Sequence, residues 1–368
     1  MSAQPSPSSV VEGKASFDIS GAFFRPSSRT GRDLAVLAAA VLKQRRGQLN
    51  VLDTMTGCGV RPLRYCLEAG ADWIWANEGN PELAELVRSN LRRSLPASRY
   101  RVSCGDAQRL LLRVAQEQQY FDLVDIDSFG SPMPYLATAL GAVRREGLLY
   151  LTATDGRATS GRDRQRSIQT YGSCARSHPA VQEQGLRLLL GRAMQEAAAR
   201  GWQVRPVFSL FNGQVGRVMV QLGLQPQWQP HHYGFLTYCH RCGQFGTADW
   251  SQLGQLGCSG CHHPPVVSGP LWLGPLHSCD YLEAMRQLAE PALASLLAIM
   301  IEEAAMPPYY YPLAEIGARG RLDVPKRDRL IAALCDRGYR ASRTHISPQA
   351  FKTTASLATC ITVARQCR

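Results

Sequence analysis

Short apolar runs alternate with helical stretches between residues 49 and 153, and this alternation limits the possible folds more than any other feature. The helical stretches lie near 61–69, 81–94 and 133–143, and the apolar runs around them read LNVLDT, WIWANE, RYRVSCGDA, YFDLVDID and EGLLYLTAT. Such alternation predicts a parallel sheet with helices on both faces. After a further helix near 179–200, WQVRPVFSLF and RVMVQLGL predict an antiparallel pair that closes the sheet. We therefore expect an α/β, Rossmann-like domain.

The composition of the chain changes near residue 225. From there to residue 280, Pro, Gly, Trp, His and Cys are frequent and helical periodicity is weak, whereas helices return from Tyr281 onward. We therefore predict two domains, a Rossmann-like domain over 1–224 and an α+β domain over 225–368. Within the first, residues 1–30 are expected to form a loose lead-in that tightens around Phe23 and Phe24.

The charge of the chain indicates the class of partner. Across 368 residues, 41 Lys and Arg side chains exceed 29 Asp and Glu side chains, for a formal net charge of +12. Such an excess favours a nucleic-acid partner, although a basic protein that merely stays soluble has the same composition. No apolar run reaches about 18 residues, and the polar N-terminus does not resemble a signal peptide. We expect a cytoplasmic monomer without a membrane segment.

Three consecutive strand ends carry residues suited to a nucleoside ligand. Asp53 and Gly57 stand in VLDTMTGCG, where glycines let the backbone approach a ligand, although similar turns occur for packing reasons alone. Glu78 follows about 20 residues later, where a carboxylate can bind a ribose. Asp106 and Ala107 end the third run and suit an adenine. Because no GxxxxGK[ST] phosphate loop is present, S-adenosylmethionine fits better than ATP or NAD.

The fourth apolar run ends in a candidate catalytic segment, DIDSFGSP. Asp125 and Asp127 are two residues apart on a strand and share one face, and Pro132 directs the chain away from the strand. A carboxylate can accept hydrogen bonds from a nucleobase amine and then remove its proton. Phe129 could stack on a base extruded from the nucleic acid. The alternatives are a helix-capping role for Asp127 and core packing for Phe129.

Four cysteines between residues 239 and 261 have the spacing of a metal site. The pattern is C-x2-C, fifteen residues, C-x2-C, and it consists of Cys239, Cys242, Cys258 and Cys261. Two such pairs suit a tetrahedral zinc ion with four thiolate ligands, which is a closed and therefore structural site. We expect a zinc module here. Neighbouring His240, His262 or His263 could substitute for a ligand.

The C-terminal segment is basic. Helical periodicity over 324–337, followed by GYRASRTH, predicts a helix and a short β-wing, as in winged-helix folds. Its cationic side chains are expected to contact RNA phosphates, although a solvated basic helix is also common. They are Lys326, Arg327, Arg340 and Arg343, with Arg329, Arg337 and Lys352 as further members. A second patch consists of Arg157, Arg162, Arg164 and Arg166.

The motifs resemble those of the tRNA (guanine-26 N2)-dimethyltransferases of archaea and eukaryotes, from about Glu12 to Ala355. In the first domain they are GRDLAVL at 31–37, TGCGVRPLRYCLE at 56–68, DIDSFGSP at 125–132 and LTATD at 151–155. In the second they are GPLWLGPLH ending at His277, YYYPLAEIGAR at 309–319 and GYRASRTHISP at 338–348. The resemblance implies a class I methyltransferase domain joined to a tRNA-binding domain.

The resemblance also implies roles for individual residues. Arg32 would hold the methionine carboxylate of the donor, Arg61 would line the donor pocket, and Asp127 would be the catalytic carboxylate. Glu78 would bind the ribose, and Asp106 and Ala107 the adenine. Three positions depart from the family pattern: Ser128 stands where Pro is expected, Glu78 replaces Asp, and Thr30-Gly31 replaces an Asn. A serine at 128 predicts a softer loop around Phe129, not an inactive site.

Together, these features predict a tRNA methyltransferase. Its reaction would add one and then a second methyl group to the N2 amine of a guanine, expected to be guanosine 26, after base flipping. Two alternatives remain open at this stage. The chain could methylate ribosomal RNA guanine or another nucleobase amine, or it could be a non-catalytic, zinc-containing RNA-binding protein.

Overall fold

A computed structural model of the chain describes residues 9–223 and 229–367. Its internal contacts form two compact units, and neither is continuous in sequence. Unit 1 contains Met1–Ala153, Arg200–Arg205 and Met219–Gln225, and unit 2 contains Thr154–Ala199, Pro206–Val218 and Pro226–Arg368. The sequence predicts a single boundary near residue 225. By internal contacts, however, Thr154–Ala199 belongs to the same unit as the C-terminal part of the chain. The functional division into domains 1–224 and 225–368 stays a prediction.

The elements up to residue 153 alternate between strand and helix after an initial hairpin. The strands are β1 (Ser9–Glu12), β2 (Ala15–Asp18), β3 (Asn50–Asp53), β4 (Trp73–Glu78), β5 (Tyr100–Cys104), β6 (Phe121–Asp127) and β7 (Val143–Ala153). The helices are α1 (Arg29–Arg46), α2 (Val60–Leu67), α3 (Pro81–Ser94), α4 (Ala107–Gln116) and α5 (Met133–Ala142), with short 3-10 turns at Pro26–Ser28 and Ala97–Arg99. The predicted helices are confirmed to within two residues at each end. Over residues 9–30, the part of the lead-in that the structure describes, the expectation of a loose segment is wrong, because β1 and β2 pair there.

A seven-stranded sheet holds the candidate site. Its order is β5-β4-β3-β6-β7-β9-β8, where β8 is Gln203–Asn212 and β9 is Val215–Gly223. Strands β3 to β7 pair in parallel. Two residues connect β8 to β9, and so short a connection joins antiparallel neighbours. The expected α/β architecture with a mixed sheet is therefore confirmed, and the carboxyl ends of β3, β4 and β6 share one edge.

The register of the parallel strands determines which residues meet at that edge. Asp53 of β3 is opposite Asp125 of β6, and Asp127 is opposite Thr152 of β7. Because residues two apart on a strand share a face, Asp125 and Asp127 are on the same side of the sheet. The strand interior is apolar and fully buried, including Leu52, Val124 and Leu149. The buried strands hold the carboxylates at their ends in place.

Unit 2 combines helices with two small sheets. Its helices are α6 (Gly156–Thr159), α7 (Arg164–Tyr171), α8 (Val181–Ala198), α9 (Cys279–Leu288), α10 (Pro291–Glu303), α11 (Leu313–Gly320), α12 (Arg327–Cys335) and α13 (Leu357–Gln366), with 3-10 turns at Pro230–His232 and Trp250–Gln252. One sheet has the order β11-β10-β12, with β10 at Tyr233–Tyr238, β11 at Phe245–Ala248 and β12 at Val266–Trp272. The other is β13-β15-β14, formed by Tyr311–Pro312, Ala350–Thr353 and Ala341–Arg343.

Helix α12 lies within the predicted helical stretch 324–337, and β14 lies within GYRASRTH. Helix α12 precedes β14 and β15, which form an antiparallel pair. The assignment of this segment to the winged-helix fold stays a prediction. Among the described helices, none is both long enough and apolar enough to cross a membrane.

A buried polar network explains two of the unusual sequence markers in unit 2. Glu303 accepts the backbone N–H of His345 at 3.1 Å and contacts the His345 Nδ1, while His277 Nε2 lies 3.6 Å away. Burial opposes ionisation of Glu303, but these partners outweigh it and lower its pKa well below the usual range. GPLWLGPLH and GYRASRTHISP therefore meet at one carboxylate, through their histidines.

Lys352 belongs to the same interior and does not contact RNA from the surface. Its side chain is 1% exposed, and Nζ lies 2.6 Å from Glu183 Oε1. Arg187 also donates to that oxygen, at 2.7 Å. The expectation that Lys352 is an exposed phosphate contact is therefore wrong. Its place on β15, whose four residues are all buried, determines its environment more than its charge does.

Candidate active site

The candidate catalytic carboxylate lies where β6 ends and the chain turns away. Asp127 is the last residue of β6 and its side chain is 31% exposed, whereas the Asp125 side chain is completely buried. Gly130 follows with φ +76°, a conformation that glycine adopts without strain, and Pro132 precedes helix α5. The turn between strand and helix therefore leaves Asp127 as the accessible member of the pair.

Arg61 of α2 holds both carboxylates. Its Nη2 and Nε donate to Asp127 Oδ2 at 2.5 and 3.1 Å, and its Nη1 donates to Asp125 Oδ2 at 3.0 Å. Tyr65, one helical turn later, donates its hydroxyl to the same Asp125 oxygen at 2.7 Å. The Arg61 guanidinium therefore contacts two acids of β6. The role that the resemblance implies, lining the donor pocket, stays a prediction.

Burial and mutual repulsion change the protonation of this acidic cluster. Burial, followed by the charge of Asp125, raises the pKa of Asp53 well above its usual range. Burial also raises the pKa of Asp125, despite the opposing charge of Arg61. For Arg61, burial alone would lower the pKa, but the two β6 carboxylates outweigh it and raise the pKa well above the ordinary value. The two acids therefore favour the charged form of Arg61.

The glycine turn after β3 lies against the end of β4. Glu78 Oε2 accepts the Gly57 N–H at 2.8 Å, and Glu78 Oε1 accepts the Asn80 N–H at 2.9 Å. Gly57 and Gly59 have φ of +60° and +84°, and Gly59 immediately precedes α2. The turn therefore requires glycine at both positions. Glu78 is oriented by backbone amides at the sheet edge, where a ribose-binding carboxylate is expected.

The third strand end shows the capping geometry expected of a helix start. Asp106 accepts the Arg109 N–H at 2.9 Å and caps α4, and Ala107, the first residue of that helix, is buried. This contact accounts for Asp106 structurally without excluding a contact to adenine. The roles of both residues toward a donor stay predictions.

Arg32 is engaged by an acid that the sequence patterns do not identify. Its Nε and Nη2 donate to the two Glu12 carboxylate oxygens at 2.7 and 2.5 Å, and the side chain is 6% exposed. Arg64 donates to Glu12 Oε1 at 2.9 Å. Glu12 lies on β1, in the segment expected to be loose, and four-residue strands leave too short a pattern to detect. The role of Arg32 toward the donor carboxylate stays a prediction.

Two exposed aromatic rings adjoin each other, and one of them belongs to Phe129, two residues after Asp127. Phe129 is 78% exposed, Phe23 is 60% exposed, and their ring centroids are 5.3 Å apart in an edge-to-face arrangement. Isolated exposed apolar residues are common, whereas a contiguous apolar surface can mark a binding site. The sequence places both rings near the site region, but only the fold shows that they adjoin. Core packing of Phe129, the alternative interpretation, is therefore excluded.

Several buried polar atoms near the strand ends have no hydrogen-bond partner in the described part of the chain. They include Asp125 Oδ1, Ser128 Oγ and Thr152 Oγ1, which belong to the carboxyl ends of β6 and β7 or the residue that follows. Buried polar atoms normally find hydrogen-bond partners. This edge of the sheet therefore has hydrogen-bonding capacity that the described residues do not use.

The four cysteines of the predicted zinc module converge in unit 2. Their Sγ atoms all lie within 4.8 Å of one another, with Cys239–Cys261 at 3.5 Å and Cys242–Cys258 at 3.3 Å. Tetrahedral Zn–S bonds of about 2.3 Å require sulfurs about 3.8 Å apart, which this cluster approaches. The Cys258 Sγ also accepts the Gly260 N–H at 3.3 Å, a contact typical of a thiolate knuckle. The donor set therefore fits zinc.

The cluster of His277, Glu303 and His345 resembles a metal site in composition but not in hydrogen bonding. The backbone N–H of Ser209 faces His277 Nδ1, and that of Phe211 faces His345 Nε2. The other nitrogen of each ring then carries the proton and faces Glu303, which leaves no lone pair for a metal. His345 Nδ1 hydrogen-bonds Glu303, whereas His277 Nε2, at 3.6 Å, has no hydrogen-bond partner among the described residues. Lys352 Nζ is also 3.8 Å from Glu303. We interpret this cluster as a hydrogen-bonded network that stabilises unit 2.

The predicted RNA-contacting residues of unit 2 differ in their availability. Arg327 Nε lies 2.9 Å from Asp328 Oδ1, and Arg343 Nη2 lies 2.7 Å from Asp328 Oδ2. Hydrogen bonds from these two arginines lower the pKa of Asp328. Lys326, the residue before α12, and Arg340, the residue before β14, are both exposed. One acid therefore partly neutralises two of the four predicted phosphate contacts.

Comparisons with known proteins agree with this arrangement. The N2,N2-dimethylguanosine tRNA methyltransferase family model matches residues 8–365. A tRNA (guanine(26)-N(2))-dimethyltransferase of Thermococcus kodakarensis is 31% identical over 90% of each chain. The corresponding Pyrococcus abyssi protein is 30% identical over 94% of this chain and 95% of its own.

A solved structure shares the whole fold. It is Trm1 from Pyrococcus horikoshii in complex with S-adenosyl-L-methionine, which is 27% identical with a TM-score of 0.83, over 96% of this chain and 99% of Trm1. The family match, the relatives and the shared fold each extend over nearly all of the chain. This chain belongs to the N2,N2-dimethylguanosine tRNA methyltransferase family.

Proposed function

We propose that this chain transfers methyl groups from S-adenosylmethionine to the N2 amine of guanosine 26 in tRNA, first one and then a second. The observation that carries the proposal is the position of Asp127. It ends the fourth parallel strand of a methyltransferase sheet, is held by Arg61 and precedes by two residues Phe129, whose exposed ring adjoins that of Phe23. The relatives named for this reaction extend the proposal to the choice of guanosine 26.

The donor would occupy the edge formed by β3, β4 and the start of α4. Gly57 and Asp53 would face its amino-acid moiety, Glu78 its ribose, and Asp106 with Ala107 its adenine. Arg32 would bind the methionine carboxylate only by sharing or releasing Glu12, to which it is now paired. When bound, the donor supplies an electrophilic methyl group on a sulfonium.

Asp127 would activate the guanine amine. The lone pair of this amine is delocalised into the ring, so the amine is a poor nucleophile. A carboxylate that accepts its N–H concentrates electron density on nitrogen and removes a proton as the new N–C bond forms. The second methyl transfer needs the same step on the remaining N–H. For the second transfer a fresh donor must replace the demethylated product, Asp127 must release the proton it accepted, and the monomethylated amine must turn its remaining N–H toward the carboxylate.

Phe129 and Phe23 would hold the base after it leaves the tRNA stack. An enzyme cannot reach an amine inside a folded nucleic acid, so the target nucleotide must be extruded. Stacking of a base on an aromatic ring contributes about 1–3 kcal/mol. Two rings 5.3 Å apart and largely exposed can offer that surface, and Phe129 is two residues from Asp127.

The cysteine cluster would bind a structural zinc ion. Four thiolates fill all four positions of a tetrahedral ion and leave none for substrate. Cys239, Cys242, Cys258 and Cys261 would therefore stabilise the segment that follows β10 and take no part in methyl transfer. The monomeric state and the cytoplasmic location stay predictions.

Mass spectrometry of nucleosides would test the proposed reaction. Unmodified tRNA incubated with labelled donor should yield labelled N2-methylguanosine and then N2,N2-dimethylguanosine. A matched tRNA with inosine at position 26 lacks only the exocyclic amine and should yield neither product. Label on ribosomal RNA fragments but not on tRNA would favour the ribosomal alternative. Absence of any labelled nucleoside would favour a non-catalytic RNA-binding protein.

The pairing of Asp328 leads to a prediction about tRNA affinity. Replacing Asp328 with Asn should strengthen tRNA binding, because it frees Arg327 and Arg343 to bind phosphates. Each additional phosphate that the protein neutralises should steepen the slope of log K against log salt by roughly 0.7–0.9. The measurement is tRNA affinity across a range of salt concentrations.

The control for Asp328→Asn is Asp280→Asn. Asp280 is also exposed in unit 2, at the start of α9, and its replacement changes the net charge equally. If both variants change affinity and salt dependence alike, the effect is one of net charge. In that case Arg327 and Arg343 do not bind phosphates.

A further inference from the structure

Arg61 lies among the acidic side chains at the end of β6 and contacts the candidate catalytic carboxylate of Asp127. Its side chain is 4% exposed, and its three guanidinium nitrogens all donate to carboxylates of β6. The guanidinium carbon also lies 5.4 Å from the centre of the Tyr150 ring on β7. A buried guanidinium whose three nitrogens all hydrogen-bond to carboxylates has a fixed orientation.

We infer that Arg61 is a positioning residue for methyl transfer, which holds the Asp127 carboxylate ionised and aimed at the guanine amine. The inference rests on the proposed function and assigns Arg61 a role that donor binding does not require. It also differs from the role that the family resemblance implies, which is to line the donor pocket.

The geometry supports orientation of Asp127 by Arg61. Nε and Nη2 both donate to Asp127 Oδ2, which restrains the rotation of the carboxylate about its side-chain bonds. The guanidinium is fixed in turn by Asp125, whose Oδ2 also accepts the Tyr65 hydroxyl. The chain of contacts therefore runs from helix α2 through the buried acid to the exposed one. Displacing a reacting group by about 1 Å can cost on the order of 10²-fold in rate.

The charge balance supports stabilisation of the ionised form. Around Arg61 the facing groups are Asp53 on β3, Asp125 and Asp127 on β6, Tyr65 on α2 and Tyr150 on β7. Burial raises the pKa of Asp53, Asp125 and Tyr65 and so favours their uncharged forms. The positive charge of Arg61, which contacts Asp127 Oδ2 directly, therefore acts at Asp127 and favours its ionised form. Without it, protonation of Asp127 would begin at higher pH.

The two possible roles of Arg61 predict different kinetic losses. A residue that binds the donor would raise the donor Kd when it is replaced. A residue that positions Asp127 would lower kcat and leave donor affinity nearly unchanged. Removal of its charge would also move the acidic limb of the kcat–pH profile to higher pH.

The test compares Arg61→Met with Arg61→Lys in the full-length protein. We expect Arg61→Met to lower kcat on the order of 10²-fold and to shift the acidic limb upward, with the donor Kd within about threefold of wild type. Arg61→Lys keeps the positive charge but loses the planar group that donates to Asp127 from two nitrogens. It should therefore lower kcat with little change in the pH profile. Circular dichroism and calorimetric donor binding verify the fold of each variant. If Arg61→Met does not fold, Arg61→Lys alone tests the orientation.

A double-mutant cycle with Asp127→Asn shows whether Arg61 acts through Asp127. If it does, Arg61→Met should reduce the residual kcat of Asp127→Asn only slightly, whereas independent roles give multiplicative losses. Free guanidinium should partly restore kcat to Arg61→Met in the Asp127 background only. A normal kcat with a weakened donor Kd, or multiplicative losses, would overturn the inference. Failure of the proposed function appears differently, as wild-type protein that makes no methylated guanosine.

Discussion

Replacing Asp127 with Asn should reduce methyl transfer to guanosine 26 by about 10²–10⁴-fold, the usual contribution of a general base. The side chain keeps its shape and can still accept one hydrogen bond, but it can no longer remove the proton of the amine. Donor and tRNA affinities should change little, because Asp127 is proposed to act on the reacting amine. The measurement is single-turnover formation of N2-methylguanosine, together with binding of donor and tRNA.

Glu117→Gln is a matched control for Asp127→Asn. Glu117 follows α4 in unit 1, is partly exposed and pairs with Arg113 four residues earlier, an arrangement that contributes little to stability. Loss of one carboxylate there should leave methyl transfer unchanged. Wild-type turnover by Asp127→Asn would refute the assignment of Asp127 as the catalytic carboxylate. Weaker donor binding with an unchanged chemical step would instead place Asp127 in the donor site.

Removing one zinc ligand should have the largest effect on stability. Cys258→Ala deletes a thiolate from a cluster whose sulfurs lie within 4.8 Å of one another. Structural zinc contributes roughly 10–16 kcal/mol to the folding of zinc-finger peptides. We therefore expect loss of this ligand to cost several kcal/mol and to lower the Tm by about 10 °C or more. Metal analysis should show one zinc per wild-type chain and a reduced content in the variant.

Cys279→Ala is the control for the zinc prediction. Cys279 is an exposed cysteine at the first position of α9, outside the cluster. Its replacement should change neither zinc content nor Tm. If Cys258→Ala retains both, the four cysteines do not bind a structural ion. An ion bound without a change in Tm would show that the module does not stabilise unit 2.

Much of the fold follows from local pattern. Apolar runs separated by helical periodicity predict the parallel strands, and the polar residue that ends each run predicts the sheet edge with the site. Asp127, Glu78 and Asp106 are identifiable in this way because a strand end depends on nearby residues only. The same holds for the cysteines, whose spacing is itself the signature of two metal-binding turns.

Other parts of the site depend on contacts between residues distant in sequence. Arg61 and Asp127 are 66 residues apart, and Arg61 reaches the acid only because α2 packs with that face toward β6. Glu12 pairs with Arg32 through a four-residue strand that carries too weak a signal to predict. The rings of Phe23 and Phe129 also adjoin only because the fold brings together two segments that are distant in sequence.

Lys352 shows most clearly what local pattern misses. In sequence it belongs to a basic segment that predicts RNA contact, yet it is 1% exposed and paired with Glu183, which lies 169 residues earlier. A charged side chain can be buried when a partner of opposite charge is buried with it, and sequence spacing does not reveal that partner.

The parallel sheet and the site at its edge likewise depend partly on local sequence pattern and partly on long-range packing. The amino-acid sequence was sufficient for the strands, their alternation with helices, the polar strand ends and the cysteine spacing, because hydrophobic periodicity and turn chemistry act over a few residues. Tertiary structure alone decided that Arg61 pairs with Asp127, that Asp328 pairs with two arginines and that Lys352 is buried. Each of these depends on which helix face or strand meets which partner, and long-range packing determines that.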